Sequence, residues 1–161
     1  MSSCCQISAS ELRAPLSCPV SGTTGKSVAL RTVKALLIEH ALRRVMTVEH
    51  RFCPDPHCQV VYFDAAGTQY TRADVRVRVW QKEPFGGRMV CYCFGENEAD
   101  IRTEMERLGR SDAVGRVRRH IEAGRCACEV RNPRGVCCLG DVTAAVKRVA
   151  LSLQSLQPEA G

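Results

Sequence analysis

The 161-residue sequence predicts an α+β protein: a small helix/strand module followed by a mainly helical one. Three observations carry this prediction. Short β-rich runs follow a proline-kinked turn in the first half. Three segments with apolar residues at helical spacing fill the second half. The cysteines of that second half, grouped as Cys91-Tyr92-Cys93, Cys126-Ala127-Cys128 and Cys137-Cys138, fall in the loops between the helical segments.

Residues 1–14 are a polar lead carrying the pair Cys4-Cys5 and are expected to be a mobile tail. A first module is expected over 15–85. In it Pro15 and Pro19 bracket Cys18, and the Gly-rich run Ser21 to Lys26 follows as a turn or knuckle. Thr32 to Leu42 has helical spacing, with Val33, Leu36, Leu37 and Ala41 on one face and Thr32 as its cap. Two prolines pin the turn Cys53-Pro54-Asp55-Pro56-His57-Cys58. Gln59 to Phe63 is expected to be a strand, Ala66-Gly67 a turn and Val75 to Val79 an alternating strand with one wet face. Pro84-Phe85-Gly86-Gly87 is the expected linker, and a second module is expected over 86–161. Its first helix, Glu98 to Leu108, places Ile101, Met105 and Leu108 together and ends at Gly109. Ser111 caps the next, which carries Val114, Val117 and Ile121 and stops at Gly124. Asp141 caps the last, with Val142, Ala145, Val146, Val149 and Leu153 on one face.

Composition narrows the chemistry. Hydrophobic residues make up 45% of the chain but aromatics only 5%, a core that benefits from bound metal. The net charge is +6, with a small basic knot at Arg116, Arg118 and Arg119 that is expected to be a solvated helix face, so nucleic acid is not an expected partner. No run of 18 apolar residues predicts a membrane span, and the amino terminus lacks a signal-peptide layout. A cytoplasmic location is therefore expected, where eleven cysteines favour metal ligation over disulfides. No paired carboxylates or histidine dyad stand at catalytic spacing, and His40, His50 and His120 are expected on the surface. The run Gly22 to Ser27 imitates a phosphate-binding loop but has Val20 where that motif needs glycine.

Two metal centres are predicted. A [2Fe-2S] cluster takes four thiolates. Cys91 and Cys93 are two apart, so in extended backbone both face one iron. Cys126 follows Cys93 by 33 residues, the length of two helices and a turn. For the second iron, Cys126 and Cys137 are favoured, with Cys128 and Cys138 as alternates. Backbone amides at Gly95 and Gly140 are expected to donate to cluster sulfurs. The layout of a CxC pair, two helices and a later cysteine pair resembles that of bacterioferritin-associated ferredoxin-like domains, although CAC followed by CC replaces their CxxC. A Zn²⁺ site is predicted from Cys53 and Cys58, spaced C-x4-C, together with Cys18 before its Gly-rich turn. His57 is the nearest candidate for the fourth ligand and Asp55 is within reach; the position that would complete a CxxC with Cys18 holds Ser21.

The segments CPVSGTTGKSV from Cys18, TVKALL from Thr32, CPDPHCQVVYF from Cys53, VCYCFG from Val90 and CACEVRNPRGVCCLGDV from Cys126 resemble the amino-terminal domain of CopZ-type copper chaperones. The resemblance spans Cys18 to Val149. It implies a zinc module at Cys18, Cys53 and Cys58 followed by a ferredoxin-like [2Fe-2S] module on Cys91, Cys93 and two of the four later cysteines. It also implies electron transfer, or reduction of Cu(II) to Cu(I), in copper or heavy-metal handling. The partners implied are an electron-donor protein or small reductant, and copper or another soft ion, passed through a separate chaperone or transporter. No C-x-x-C occurs among the 161 residues, so copper delivery through such a motif is not expected from them. A metal- or redox-sensing or sequestering protein is the alternative, and Cys4-Cys5 is a further candidate pair for a soft ion.

Overall fold

The computed structural model describes residues 13–157, so Cys4-Cys5 lies outside the described residues. The chain divides into two units at Lys82/Glu83. The first unit takes the residues up to Lys82 together with Glu129–Gly135; the second takes Glu83–Cys128 and the described residues from Val136 onward.

A four-stranded antiparallel meander organises the first unit: β1 (Lys26–Val28), β2 (His50–Phe52), β3 (Val60–Asp64) and β4 (Gln69–Thr71), paired in that order. β3 lies inside the sheet and is buried along its whole length, with Phe52 facing Tyr62 and Tyr62 facing Tyr70 in register. Its residues feed two apolar clusters. Val61 and Tyr62 join Val33, Leu36, Leu37, Phe52, Tyr70, Val75 and Val79 in the main core. Val60 and Phe63 pack with Cys18, Cys53 and Cys58. Full burial of a phenol requires a partner, and the Tyr62 hydroxyl donates to the Pro133 carbonyl at 2.6 Å.

Two expected elements take other forms. The helix expected over Thr32 to Leu42 is two short ones, α1 (Leu30–Leu36) and α2 (Glu39–Leu42). The chain extends at Leu37 to pair with Val75, and the Ile38 N–H goes to the Asp74 carbonyl, so long-range hydrogen bonds outbid the helical ones. Thr32 is buried within α1, which Ala29 caps. Val75 to Val79 forms no strand beyond that single bridge. A 3-10 turn (Arg72–Asp74), closed by a Thr71/Asp74 capping box, enters it and another (Trp80–Lys82) leaves it. Its valines alternate because Val75 and Val79 are buried against the core.

In the second unit a small hairpin, β5 (Met89–Cys91) with β6 (Glu96–Asn97), leads into α3 (Glu98–Leu108) and α4 (Ala113–Glu122). The four-residue α5 (Cys128–Arg131) straddles the unit boundary, and α6 (Leu139–Gln154) follows. Ile101 and Met105 of α3, Val117 of α4 and Val142, Ala145 and Val149 of α6 form the buried face, whereas Leu108 is exposed. α3 starts at Asn97, whose side chain accepts the Asp100 N–H, and stops at Gly109. Asp112, rather than Ser111, holds the cap position of α4, although the Ser111 hydroxyl accepts the Ala113 N–H. Cys138, not Asp141, holds the cap position of α6. No helix among the described residues is long and apolar enough to cross a membrane.

Candidate metal centres

The Cys18 knuckle is built from backbone. Gly22 N–H returns to the Cys18 carbonyl and Cys18 N–H goes to the Thr23 carbonyl, both at 2.9 Å. That closure requires the left-handed φ of +73° at Gly22. The Cys53 to Cys58 turn comes from the end of β2 and closes with Cys58 N–H on the Asp55 carbonyl. Together they bring the sulfurs of Cys18, Cys53 and Cys58 within 4.8 Å of one another, all three buried. Cys18 and Cys58 Sγ are 3.9 Å apart. A tetrahedral zinc with Zn–S of about 2.3 Å spaces its thiolates by about 3.8 Å, so these residues fit the ion. Burial pushes the Cys18 thiol up, but the Ser21 and Val20 N–H groups and the Ser21 hydroxyl donate to it and bring it below its ordinary value. Cys53 is pushed up, with burial the largest cause. The buried Lys82 sits beneath the turn, its Nζ donating to the Asp55 carbonyl at 2.7 Å and to the Cys58 carbonyl at 3.1 Å. Burial lowers its pKa, and the thiolates of Cys53 and Cys58 oppose that.

His57, the expected fourth ligand, is exposed and outside this group. Its backbone N–H donates to Asp55 Oδ1 at 2.8 Å, while Asp55 Oδ2 accepts the Thr23 hydroxyl at 3.4 Å, so both oxygens of Asp55 serve the loop.

The second centre gathers around the β5–β6 hairpin. Cys91 ends β5 and Cys93 sits in the following turn, which Gly95 closes by donating its N–H to the Cys91 carbonyl at φ +75°. The expectation that Cys91 and Cys93 share a face of extended backbone therefore fails, and each meets a different later cysteine. Cys93 Sγ lies 3.7 Å from Cys128 Sγ at the start of α5. Cys91 neighbours Cys138, at the start of α6, closely enough for the two side chains to interact. The favoured Cys126 and Cys137 are exposed, whereas Cys138 is buried and Cys128 half-buried. Cys91 is held down at about 6, chiefly by the Cys138 hydrogen bond and further by the N–H groups of Phe94 and Cys93. Its partner Cys138 is pushed up, first by that hydrogen bond and then by burial. Burial first, and then the Cys93 contact, push Cys128 up to about 12. Burial also raises Cys126, with the charges of Cys93 and Cys137 adding to it.

Other amides reach these sulfurs, while the Gly95 N–H goes to the Cys91 carbonyl. Ala127 N–H donates to Cys93 Sγ at 3.3 Å and the Cys138 backbone N–H to Cys128. The Phe94 ring stacks on His120 at 3.8 Å and holds the hairpin turn to α4. Glu98 locks the chain entering β5: buried, it accepts Gly86 N–H at 2.8 Å and pairs with Arg88 at 2.6 Å and Arg148 at 3.4 Å. Sequence reasoning missed Glu98 and Lys82, which were hidden among ordinary surface charges. His50, expected on the surface, is buried, with Nδ1 2.8 Å from the Val48 carbonyl and Nε2 3.5 Å from Asp64. Of the basic knot, Arg116 bridges Glu96 and Glu104, and Arg119 pairs with Asp112. Among the described residues, none of the nine cysteines forms a disulfide.

Comparison with known proteins agrees with the zinc geometry. Residues 15–76 match the family model zf_CopZ, described as a zinc binding domain. The copper chaperone CopZ of Archaeoglobus fulgidus is 31% identical over 150 residues, covering 86% of this chain and 71% of that protein. The X-ray structure of the A. fulgidus CopZ N-terminal domain matches with a TM-score of 0.64 at 28% identity, covering 80% of this chain and 95% of that one.

Proposed function

The chain belongs to the CopZ family of copper chaperones, and from that premise we propose that it is a zinc-stabilised redox module that passes single electrons in copper handling. The observation that carries this reading is the arrangement of four thiols as two close pairs, Cys93 with Cys128 and Cys91 with Cys138. A [2Fe-2S] cluster takes two thiolates on each of two irons, and two pairs of this kind suit it. Such a cluster, when bound, supplies reversible one-electron chemistry, sufficient to convert Cu(II) to the Cu(I) that thiolates accept.

The protein's own part is positional and electrostatic. The hairpin turn and the starts of α5 and α6 aim the four sulfurs. N–H groups of Cys93, Phe94, Ala127 and Cys138 stabilise thiolates and, through them, a more negative reduced state. Half-burial of Cys93 and Cys128 keeps one side of the pair set accessible to an electron donor and to a copper ion. Cys18, Cys53 and Cys58 hold zinc as a structural ion, which closes the small first unit.

Anaerobically purified protein should be coloured, contain iron, sulfide and zinc, give a paramagnetic signal on one-electron reduction, and reduce Cu(II) when reduced. A colourless protein holding zinc without iron or sulfide would refute the cluster. A cluster that cycles but leaves Cu(II) untouched would point instead to a sensing role.

A further inference from the structure

Three thiols supply three corners of the zinc tetrahedron, and a closed structural site needs a fourth ligand. Among the described residues, the histidine, cysteine and carboxylate donor atoms that gather there are those three sulfurs alone. The position three residues after Cys18, on the same knuckle, is Ser21. Its Oγ lies 3.5 Å from Cys53 Sγ and also hydrogen-bonds the Cys18 thiol. The same hydroxyl accepts the Thr23 N–H at 3.3 Å. His57 is exposed, and the carboxylate oxygens of Asp55 are engaged by His57 N–H and the Thr23 hydroxyl.

We propose that Ser21 Oγ fills the fourth corner of the zinc centre, giving a site of three thiolates and one neutral oxygen. The proposal rests on the zinc assignment above and adds to it the identity of the remaining ligand. A neutral hydroxyl is a weaker donor than a thiolate, and Ser21 is half-buried while the three sulfurs are buried. The fourth corner is therefore where an entering ligand reaches the ion, and zinc in this chain exchanges faster than in a four-thiolate site.

The test uses the full chain. X-ray absorption of the zinc-loaded protein should show three sulfurs and one oxygen and no imidazole scattering. Ser21→Cys should convert this to four sulfurs, shift the ligand-field bands of the Co(II)-substituted protein to lower energy, and slow zinc release to a chelator by roughly tenfold or more. Ser21→Ala should release zinc faster than wild type. His57→Ala should match wild type in both spectrum and release. Imidazole in the wild-type spectrum, three sulfurs retained in Ser21→Cys, or unchanged release from Ser21→Ala would each overturn the Ser21 assignment while leaving the zinc site standing. A wild-type protein that binds no zinc would overturn the zinc assignment itself.

Discussion

In the first centre Cys18, Cys53 and Cys58 are all buried, within 4.8 Å of one another, and backed by the apolar Val60 and Phe63. In the second, Cys91 and Cys138 are buried, Cys93 and Cys128 half-buried, and Cys126 and Cys137 exposed. Both use the same chemical parts: short backbone turns, N–H groups aimed at sulfur, and helix or strand ends that fix direction. The difference in burial fits the two tasks proposed for them. A structural ion contributes folding energy and gains from exclusion of water. An electron carrier needs one edge near the surface, with the remaining sulfurs sheltered enough to keep the cluster intact.

The largest effect that would break this comparison lies in the first centre. Structural zinc contributes about 10 kcal/mol or more in small modules, so Cys53→Ser should cost the first unit its zinc and its cooperative melt. The second unit should keep iron and sulfide. A variant that melts as wild type, followed by calorimetry and zinc content, would make the first centre dispensable.

Glu98 sharpens the comparison on the other side, because its buried carboxylate fixes the chain entering β5. Glu98→Gln leaves Arg88 and Arg148 facing a neutral amide and should destabilise the second unit by about 3 kcal/mol, the range for breaking a buried pair. Denaturant melts should show the loss there, with zinc retained.

A smaller, pH-dependent effect comes from Glu104, which hydrogen bonds from Arg116 first and Ser111 second hold at about 2. Its folded value lies below the ordinary carboxylate value of about 4.3, so the stabilisation is complete above that value and is lost as pH falls toward 2. Because the Arg116 guanidinium is partly exposed, the contribution is about 1 kcal/mol or less. Glu104→Gln should therefore melt below wild type at pH 7, and the gap should close by about pH 2. A gap that is constant with pH would remove the ion pair as its cause.

Much of this was legible in the sequence, and the failures have physical reasons. Glu98 to Leu108 carried its apolar spacing and its terminal Gly109, and α3 has those bounds. β1, β2 and β4 are three residues each, too short for periodicity to register. Thr32 to Leu42 had one apolar face, but the bridge from Leu37 to Val75 that breaks it is made by residues 38 positions apart. The three zinc thiols stood out because Cys18 precedes a Gly-rich turn and prolines kink the Cys53 to Cys58 loop. Spacing leaves the choice between Cys126 and Cys128, and between Cys137 and Cys138, open. Those alternatives differ by one or two residues, and their directions are set where α5 and α6 begin, with Cys128 the first residue of α5 and Cys138 at the cap of α6.

The central claim is that the cluster uses Cys91, Cys93, Cys128 and Cys138, with Cys126 and Cys137 outside it. Iron and sulfide content, with paramagnetic resonance of the reduced protein, should be measured in two double variants. Cys126→Ser with Cys137→Ser should retain the full cluster and its signal, and Cys128→Ser with Cys138→Ser should retain neither. The reverse pattern, with the cluster lost from the first variant and kept in the second, would contradict the account.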